Sequence, residues 1–315
     1  MILPKISIVT PSFNQCNFLE QTILSVISQN YPNLEYIIID GGSTDRTIDI
    51  IKKYENYIQY WVSESDNGQS DALNKGLNKC TGVLFNWINS DDYLEPGALH
   101  KVAQAFIDNP KALQICGYTR LFENGTDTTL LNHRCELFQN LEKSIVNQRI
   151  NQQGTFYNLR AIKVLGKINN SLHYVMDLEL WLKFLCFYGQ DNIILIDDLL
   201  AHFRLHPNSK TVEFEERFRK ESNGVYHHLL EQLQSPAAIL RHFVENEQYI
   251  KSSWNFNAVR KQQLFAEITS HYFFDFYKQA NMAALRYAFL RLIPAGKIQW
   301  NKHIIRIFIK AFTAI

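Results

Sequence analysis

Two aspartates, Asp91 and Asp92, stand side by side in the stretch FNWINSDDYLEPGAL (residues 85–99), directly after an apolar run that reads as a buried strand. Adjacent carboxylates at such a strand end repel one another unless a cation or a basic group lies between them and solvent. A hard divalent cation with oxygen ligands is the simplest resolution. Few protein ligands are at hand, so the cation would keep open positions suited to phosphate oxygens, as Mg2+ and Mn2+ prefer. A solvated turn that caps the next helix is the other reading, because DD before PGAL is also turn chemistry. On this stretch alone the two stand level. Asp40 is a further acid at the end of an apolar strand. It is either an acceptor for a base imide N–H or the head of an Asx turn into Gly41-Gly42. The following GGST opens a helix N-terminus, which favours nearby anions. Neither a P-loop nor a GxGxxG fingerprint is present, which disfavours both of those nucleotide-binding classes.

These acids need a frame, and the chain supplies one by alternation. Apolar β-branched runs at 6–10, 34–40, 58–64 and 83–88 read as strands. Between them lie helical patterns: Phe18, Ile23, Leu24 and Ile27, then a helix opening at Ser43, then a short one over 70–79. Strand–helix alternation implies a mostly parallel sheet with right-handed crossovers. Ligands of such sheets bind beyond the carboxyl ends of the strands. The polar clusters PSFN, DGGSTD, SESDNGQSD and NSDD all sit at those ends and form one site. The middle of the chain mixes strands (LQICGYTRLF, and NIILID at 192–197) with a helix near 176–188. From about Val212 the chain reads as helical throughout, and the change of character near Thr211 is the one candidate boundary.

The composition excludes several classes. Thirty-two Lys and Arg balance 31 Asp and Glu, so the net charge of +1 offers no basic excess for a nucleic-acid partner. Five widely spaced cysteines without a CxxC pair suit reduced, buried thiols rather than a disulfide framework or a zinc site. The opening MILPKISIVTPSFN has no apolar core for a signal peptide, and no charge-free run is long enough to span a bilayer. A cytoplasmic location is the expectation.

Taken together, the motifs resemble the inverting family 2 glycosyltransferases. The resemblance rests on ISIVTPSFNQCNFLEQTILSVISQNYPNLEYIIIDGGSTDRT, DNGQSDALNKGL, WINSDD, the HYVMDLELWLKF block and FRLHPNSKT, in family order from about residue 4 to about 211. The branch it looks most like is the polysaccharide-assembly branch with a LNSDD-type motif. The resemblance implies an α/β GT-A fold: Rossmann-like, with a mostly parallel central sheet and flanking helices. That catalytic domain would cover 1–211, and a helical extension would cover 212–315. It also implies transfer of a sugar, with inversion, from a nucleoside diphosphate donor (a UDP-sugar first) to a hydroxyl of a glycan or lipid-linked acceptor, as in surface polysaccharide or lipopolysaccharide assembly.

The resemblance carries roles residue by residue. Thr10, Pro11 and Asp40 would frame the nucleotide base, with Asp40 taking the imide. Asp66, Gln69 and Asp71 would face the ribose and diphosphate. Asn89, Ser90 and Asp91 occupy the DxD slot, with Asp91 as metal ligand and Asp92 as supporting acid. Asn89 departs from the acidic first position: it can bond a ribose hydroxyl but adds no charge for Mn2+ or Mg2+. Inversion needs a base for the acceptor hydroxyl. Asp177 matches that position and Glu179 is the reserve; two residues apart on a helix, they diverge. Either is also a helix N-terminal acid that complements the dipole. His206 would join the metal or the diphosphate, and Arg204 and Lys210 would neutralise the leaving group. Gln152, Gly154 and Thr155 would line the acceptor side.

Two alternatives stay beside this reading. A degenerate relative could bind nucleotide sugar or glycan without turnover, and Asn89 is the feature that favours it. A nucleotidyltransferase would want a Gly-rich signature with a basic residue near the N-terminus, which PSFNQCNF lacks. The segment from Arg286 to Ile315 carries six Lys and Arg and no acid among apolar residues. It fits a basic amphipathic helix lying on an anionic membrane surface, or a helix packed on the catalytic domain or a second subunit.

Overall fold

The computed structural model describes residues 3–313 except 127, 148, 208, 211–213, 235–251, 279, 295, 297 and 299. The side chains of Asp275 and Arg291 are also outside the description. The chain divides into two compact units. The first comprises residues 1–136, 149–184 and 190–215, and the second comprises 137–148, 185–189 and 216–315. A single cut near Thr211, itself outside the described residues, therefore does not describe the division. Two short internal segments belong with the late helices, and linear composition cannot reveal that.

The first unit opens with β1 (Ile6–Ser12), α1 (Leu19–Ile27), β2 (Leu34–Asp40), α2 (Thr47–Lys53), β3 (Tyr60–Ser63), α3 (Gln69–Lys79) and β4 (Leu84–Trp87). β3, β2, β1 and β4 lie side by side and parallel, in that order. The register pairs Ser12 with Asp40 and Asp40 with Ser63, so three strand ends finish level. Ile6, Ile8, Tyr36, Ile38 and Leu84 bury one face of this sheet against Leu19, Ile23 and Val26 of α1. Each such side chain contributes roughly 1.5–3 kcal/mol when fully buried. On the other face α3 comes so close that a Cβ on Gly76 would meet Val9 Cγ1 at 2.5 Å. α2 starts at Thr47 rather than Ser43, because the residues from 42 to 45 are spent on turn contacts with Asp40 and α1's approach.

Beyond β4 the sheet becomes mixed. β5 (Tyr93–Leu94) and α4 (Ala98–Asp108) follow, then β6 (Gln114–Glu123) and β7 (Thr129–His133). After a short α5 (Leu141–Val146), which belongs to the second unit, come β8 (Thr155–Asn158), α6 (Leu159–Leu165), α7 (Met176–Tyr188) and β9 (Ile193–Leu205). β8 runs antiparallel to both β4 and β6, while β6 and β9 run parallel. β9 is longer than the NIILID run suggests. Asp197 and Asp198 fall where its register with β6 shifts, and they hide the continuation to Leu205 from a pattern reading.

The second unit is helical where it is described: α5, α8 (Glu215–Gln232), α9 (Lys261–Lys278), α10 (Met282–Leu292) and α11 (Lys302–Thr313). Residues 252–260 are an exception to the all-helical expectation. Glu142 of α5 accepts from the Arg260 backbone N–H at 3.1 Å, which ties α5 to the start of α9. Phe273, Phe289 and Phe308 form its aromatic centre, with centroids 4.4 Å and 5.1 Å apart in turn.

Candidate active site

The site gathers at the carboxyl ends of the parallel strands. Leaving β4, the chain turns through Asn89-Ser90-Asp91-Asp92. The turn is held by the Asp92 N–H on the Asn89 carbonyl (3.0 Å) and by the Thr22 hydroxyl, which donates to the carbonyls of Ser90 and Asp92. Asp92 is fully buried. One of its oxygens accepts from the Arg204 backbone N–H at 3.0 Å. The other accepts from Gln153 Nε2 (3.0 Å) and Asn89 Nδ2 (3.1 Å). Burial, and then the neighbouring Asp91, hold its carboxyl well above the usual range. Asp92 is an anchor inside the fold, and Gln153 is a partner for it that the sequence gives no signal for.

Asp91 points the other way, its side chain 21% exposed, with Oδ2 3.2 Å from His206 Nε2. His206 is buried against the Phe18 ring, centroids 4.6 Å apart, and its backbone is fixed by reciprocal bonds with Ser209. A carboxylate oxygen and an imidazole nitrogen converging at the mouth of a site are a donor pair that suits a divalent cation. Among the described residues no group of three His, Cys, Asp or Glu completes a metal set. Phosphate oxygens of a bound ligand would have to supply the rest.

Arg204 departs from expectation. The antiparallel register of β5 on β9 sets Tyr93 opposite His202 and so carries Arg204 alongside Asp91. Its guanidinium is buried and donates to the Asp91 carbonyl (2.8 Å), to Asn124 Oδ1 (2.7 Å) and to Gln21 Oε1. The rings of Phe18, Phe122 and Tyr93 surround it. Burial lowers its proton affinity. Arg204 is a strut behind the acid pair, not a contact for a leaving diphosphate.

Lys210 does face the site. Its Nζ donates to Gln69 Oε1 (3.0 Å) and to the His173 carbonyl (3.3 Å). Gln69 Nε2 in turn donates to Asn89 Oδ1 at 2.8 Å. A chain of hydrogen bonds thus runs from Lys210 through Gln69 and Asn89 to Asp92.

The base-framing residues are placed differently from the sequence reading. Thr10 turns its hydroxyl into the core, 3.1 Å from the Tyr36 hydroxyl, because alternation along β1 aims it inward. Pro11 is buried opposite Ile39. Asp40 accepts from Gly42 N, Ser43 N, Ser43 Oγ and Ser63 Oγ at 2.5–3.0 Å. It builds the turn, as an Asx head does, with three of these bonds on Oδ2 and one on Oδ1. Asp66 packs beside Gly41 so closely that a Cβ there would meet its Oδ2 at 2.8 Å, and it accepts from the N–H of Gly68. Gly68, at φ 102°, leads into α3. Asp71 accepts from the Asn67 N–H at 3.2 Å and lies 3.6 Å from Lys75 Nζ, both on Oδ2. Ser12, by contrast, ends β1 with a buried hydroxyl that has no partner among the described residues, a group a ligand can satisfy.

Ser70 and Asn74 of α3 bond the carbonyls of Leu172 and Ile168 and so pin the loop that leads into α7. Asp177 lies in the first turn of α7, partly buried, and burial pushes its carboxyl up to about 6. Glu179 is buried, with Oε1 taken by Asn169 (2.9 Å) and Oε2 by Lys183 (3.2 Å). Those bonds remove Glu179 as a reserve base. Gln152 donates to the Trp87 carbonyl at 2.6 Å, and Gly154 and Thr155 are packed on Asn151. Gln152 braces β4, Gly154 and Thr155 sit against β6, and all three are buried instead of lining a surface.

Comparison with known proteins agrees with this architecture. Residues 7–164, half of the chain, match the model of the family described as glycosyl transferase family 2. TuaG of Bacillus subtilis, named for teichuronic acid biosynthesis, is 32% identical over 136 residues, covering 42% of this chain and 54% of its own length. The chain spans 54–66% of the length of the first curated relatives it matches. Among solved structures, residues 1–349 of Staphylococcus aureus TarS superpose with a TM-score of 0.58 at 16% identity, covering 98% of this chain and 80% of that one. TarS has also been solved with UDP and with UDP-GlcNAc. Glucosyl-3-phosphoglycerate synthase of Mycobacterium tuberculosis, solved with Mn2+ and UDP, gives 0.51 at 19% identity and covers 74% of this chain and 81% of that one. The fold is that of the GT-A glycosyltransferases.

Proposed function

Because this chain belongs to glycosyl transferase family 2, we propose that it is an inverting glycosyltransferase that uses a UDP-sugar and acts in polysaccharide assembly. The observation that carries this reading is the split of the acid pair. Asp92 is locked inside by three hydrogen bonds, which leaves Asp91 turned outward to His206 at the strand ends. TarS and the mycobacterial synthase hold UDP in solved complexes, which favours the same nucleotide here.

In this reading the donor lies across the ends of β1, β2 and β4. Ser12 offers its unpartnered hydroxyl, and Gln69 and Lys210 meet the diphosphate. When bound by Asp91 and His206, Mn2+ or Mg2+ would supply charge neutralisation for the departing diphosphate. Asp177 removes the proton from the acceptor hydroxyl as that oxygen bonds to the anomeric carbon and the bond to the β-phosphate oxygen breaks. A carboxyl raised to about 6 is matched to that work near neutral pH: ionised, yet more basic than an ordinary aspartate. The acceptor is a hydroxyl of a glycan or a lipid-linked sugar.

Calorimetric titration of UDP, GDP and dTDP, each with and without Mn2+, tests the reading. UDP is expected to bind, more tightly with Mn2+, and Asp91→Asn is expected to lose the Mn2+ dependence. If none of the three binds to the folded protein, the enzyme reading falls. Binding of UDP with no sugar transfer to any acceptor would instead favour a nucleotide-sugar-binding relative.

A further inference from the structure

The last described helix, α11, carries three stripes where a packed helix needs two. Ile304, Ile307 and Ala311 are buried and follow the i, i+3, i+7 spacing of a core-facing side. Ile305, Ile309 and Phe312, at i, i+4 and i+7, form a second apolar stripe, exposed by 44%, 50% and 38%. Lys302, Arg306 and Lys310, at i, i+4 and i+8, make a basic row along its border, and all three are exposed. Trp300, 48% exposed, stands just before the helix with its ring parallel to Phe289. α10 adds Leu290, exposed by 62%, and Ile293 follows directly after it, exposed by 41%.

An exposed apolar stripe beside a basic one fits a surface that is apolar below and anionic above. We propose that α11 docks the protein on an anionic lipid surface, lying in the interface plane with Ile305, Ile309 and Phe312 in the acyl boundary and the basic row among the headgroups. The charge of the segment selects this partner over a second copy of the chain. Residues 276–315 hold seven Lys and Arg and no acid. A symmetric contact between two such faces would bring like charges together with no acid in the segment to pair them. At twelve residues the helix is about 18 Å long, too short to cross the roughly 30 Å hydrocarbon layer. No helix among the described residues is long and apolar enough to do so. The proposal is independent of the sugar chemistry and is measured without it.

The test is co-sedimentation of the full chain with vesicles of phosphatidylcholine alone and with vesicles of equal parts phosphatidylcholine and phosphatidylglycerol, at low and high salt, with Trp fluorescence recorded alongside. Binding to the anionic vesicles is expected, weakened by salt, with a blue shift. Each of Lys302→Gln and Arg306→Gln is expected to weaken it about fivefold. The triple variant Ile305→Ser, Ile309→Ser, Phe312→Ser should stay folded, with a melting temperature lowered only by the loss of the Phe312 ring from Phe308 and Phe289, and should lose binding. Equal binding to neutral and anionic vesicles would overturn the proposal, as would a folded protein that binds neither. Light scattering that shows a dimer, dispersed by the triple variant while vesicles stay unbound, would assign the face to a second copy instead.

Discussion

Asn89 joins Gln69 to Asp92 by using the two ends of its amide oppositely. Its Oδ1 accepts from Gln69 Nε2 at 2.8 Å, and its Nδ2 donates to Asp92 Oδ2 at 3.1 Å. An aspartate at 89 keeps the first bond and loses the second, because a carboxylate has no proton to give. It also adds a negative charge beside Asp91 and the buried Asp92, whose own carboxyl is already held well above the usual range by burial. The amide is therefore suited to this site, although the family slot is usually acidic. Asn89→Asp should lower stability by roughly 1–3 kcal/mol and turnover by at least about tenfold. Thermal unfolding and initial rates measured side by side check it. A variant that melts with the parent and works as well would show that the amide does not matter.

Asp177→Asn should be inactive yet no less stable. Burial raises this carboxyl from 3.8 to about 6, so the folded chain binds the proton more tightly than the unfolded chain does. The group's contribution is fully present below 3.8, declines as pH rises from there to about 6, and is level above. At neutral pH the ionised side chain thus costs on the order of 1–2 kcal/mol, allowing for its partial exposure, and the amide removes that cost. Turnover should drop by about 10²–10⁴ with UDP affinity retained. Denaturant melts at two pH values, set beside calorimetry, separate the effects.

The same group sets the pH profile. If Asp177 must be ionised to take the acceptor proton, kcat/KM should fall about tenfold per pH unit below about 6. A profile that stays flat down to the ordinary carboxylate range would remove Asp177 from the proton transfer.

Glu179→Gln should behave as a structural change. The amide keeps an acceptor for Asn169 but leaves Lys183, mostly buried, without its counter-charge. A loss of roughly 1–3 kcal/mol is expected, with kcat within about threefold of the parent. A folded but dead Glu179→Gln beside a working Asp177→Asn would reverse the assignment of the base.

Arg204→Lys cannot serve the Asp91 carbonyl, Asn124 and Gln21 together, because an ammonium lacks the planar fork. The variant should lose about 2–4 kcal/mol of stability and shift Asp91 enough to weaken Mn2+-dependent nucleotide binding. Unchanged Mn2+ dependence in a destabilised protein would confine Arg204 to stability.

Much of the first unit was legible because its signals are local. β2 runs over the residues its apolar run marks, and the polar strand ends do collect at one edge of the sheet. Less legible was which acids are free. Asp40, Glu179 and Asp92 look as available as Asp91 and Asp177, but each is buried and held by groups such as Ser63, Lys183 and Gln153, of which Ser63 and Gln153 lie 23 and 61 positions away from the acids they hold.

The sequence by itself determined the alternation that makes a parallel sheet, the clustering of acids at its carboxyl edge and the family of the chain, since these depend on residue type and short spacing. Tertiary structure alone decided which acid faces outward. That choice follows from strand register: pairing Tyr93 with His202 brings Arg204 beside Asp91 and its backbone N–H onto Asp92, 112 residues away. Register is set by packing across the whole sheet, and no local pattern encodes it.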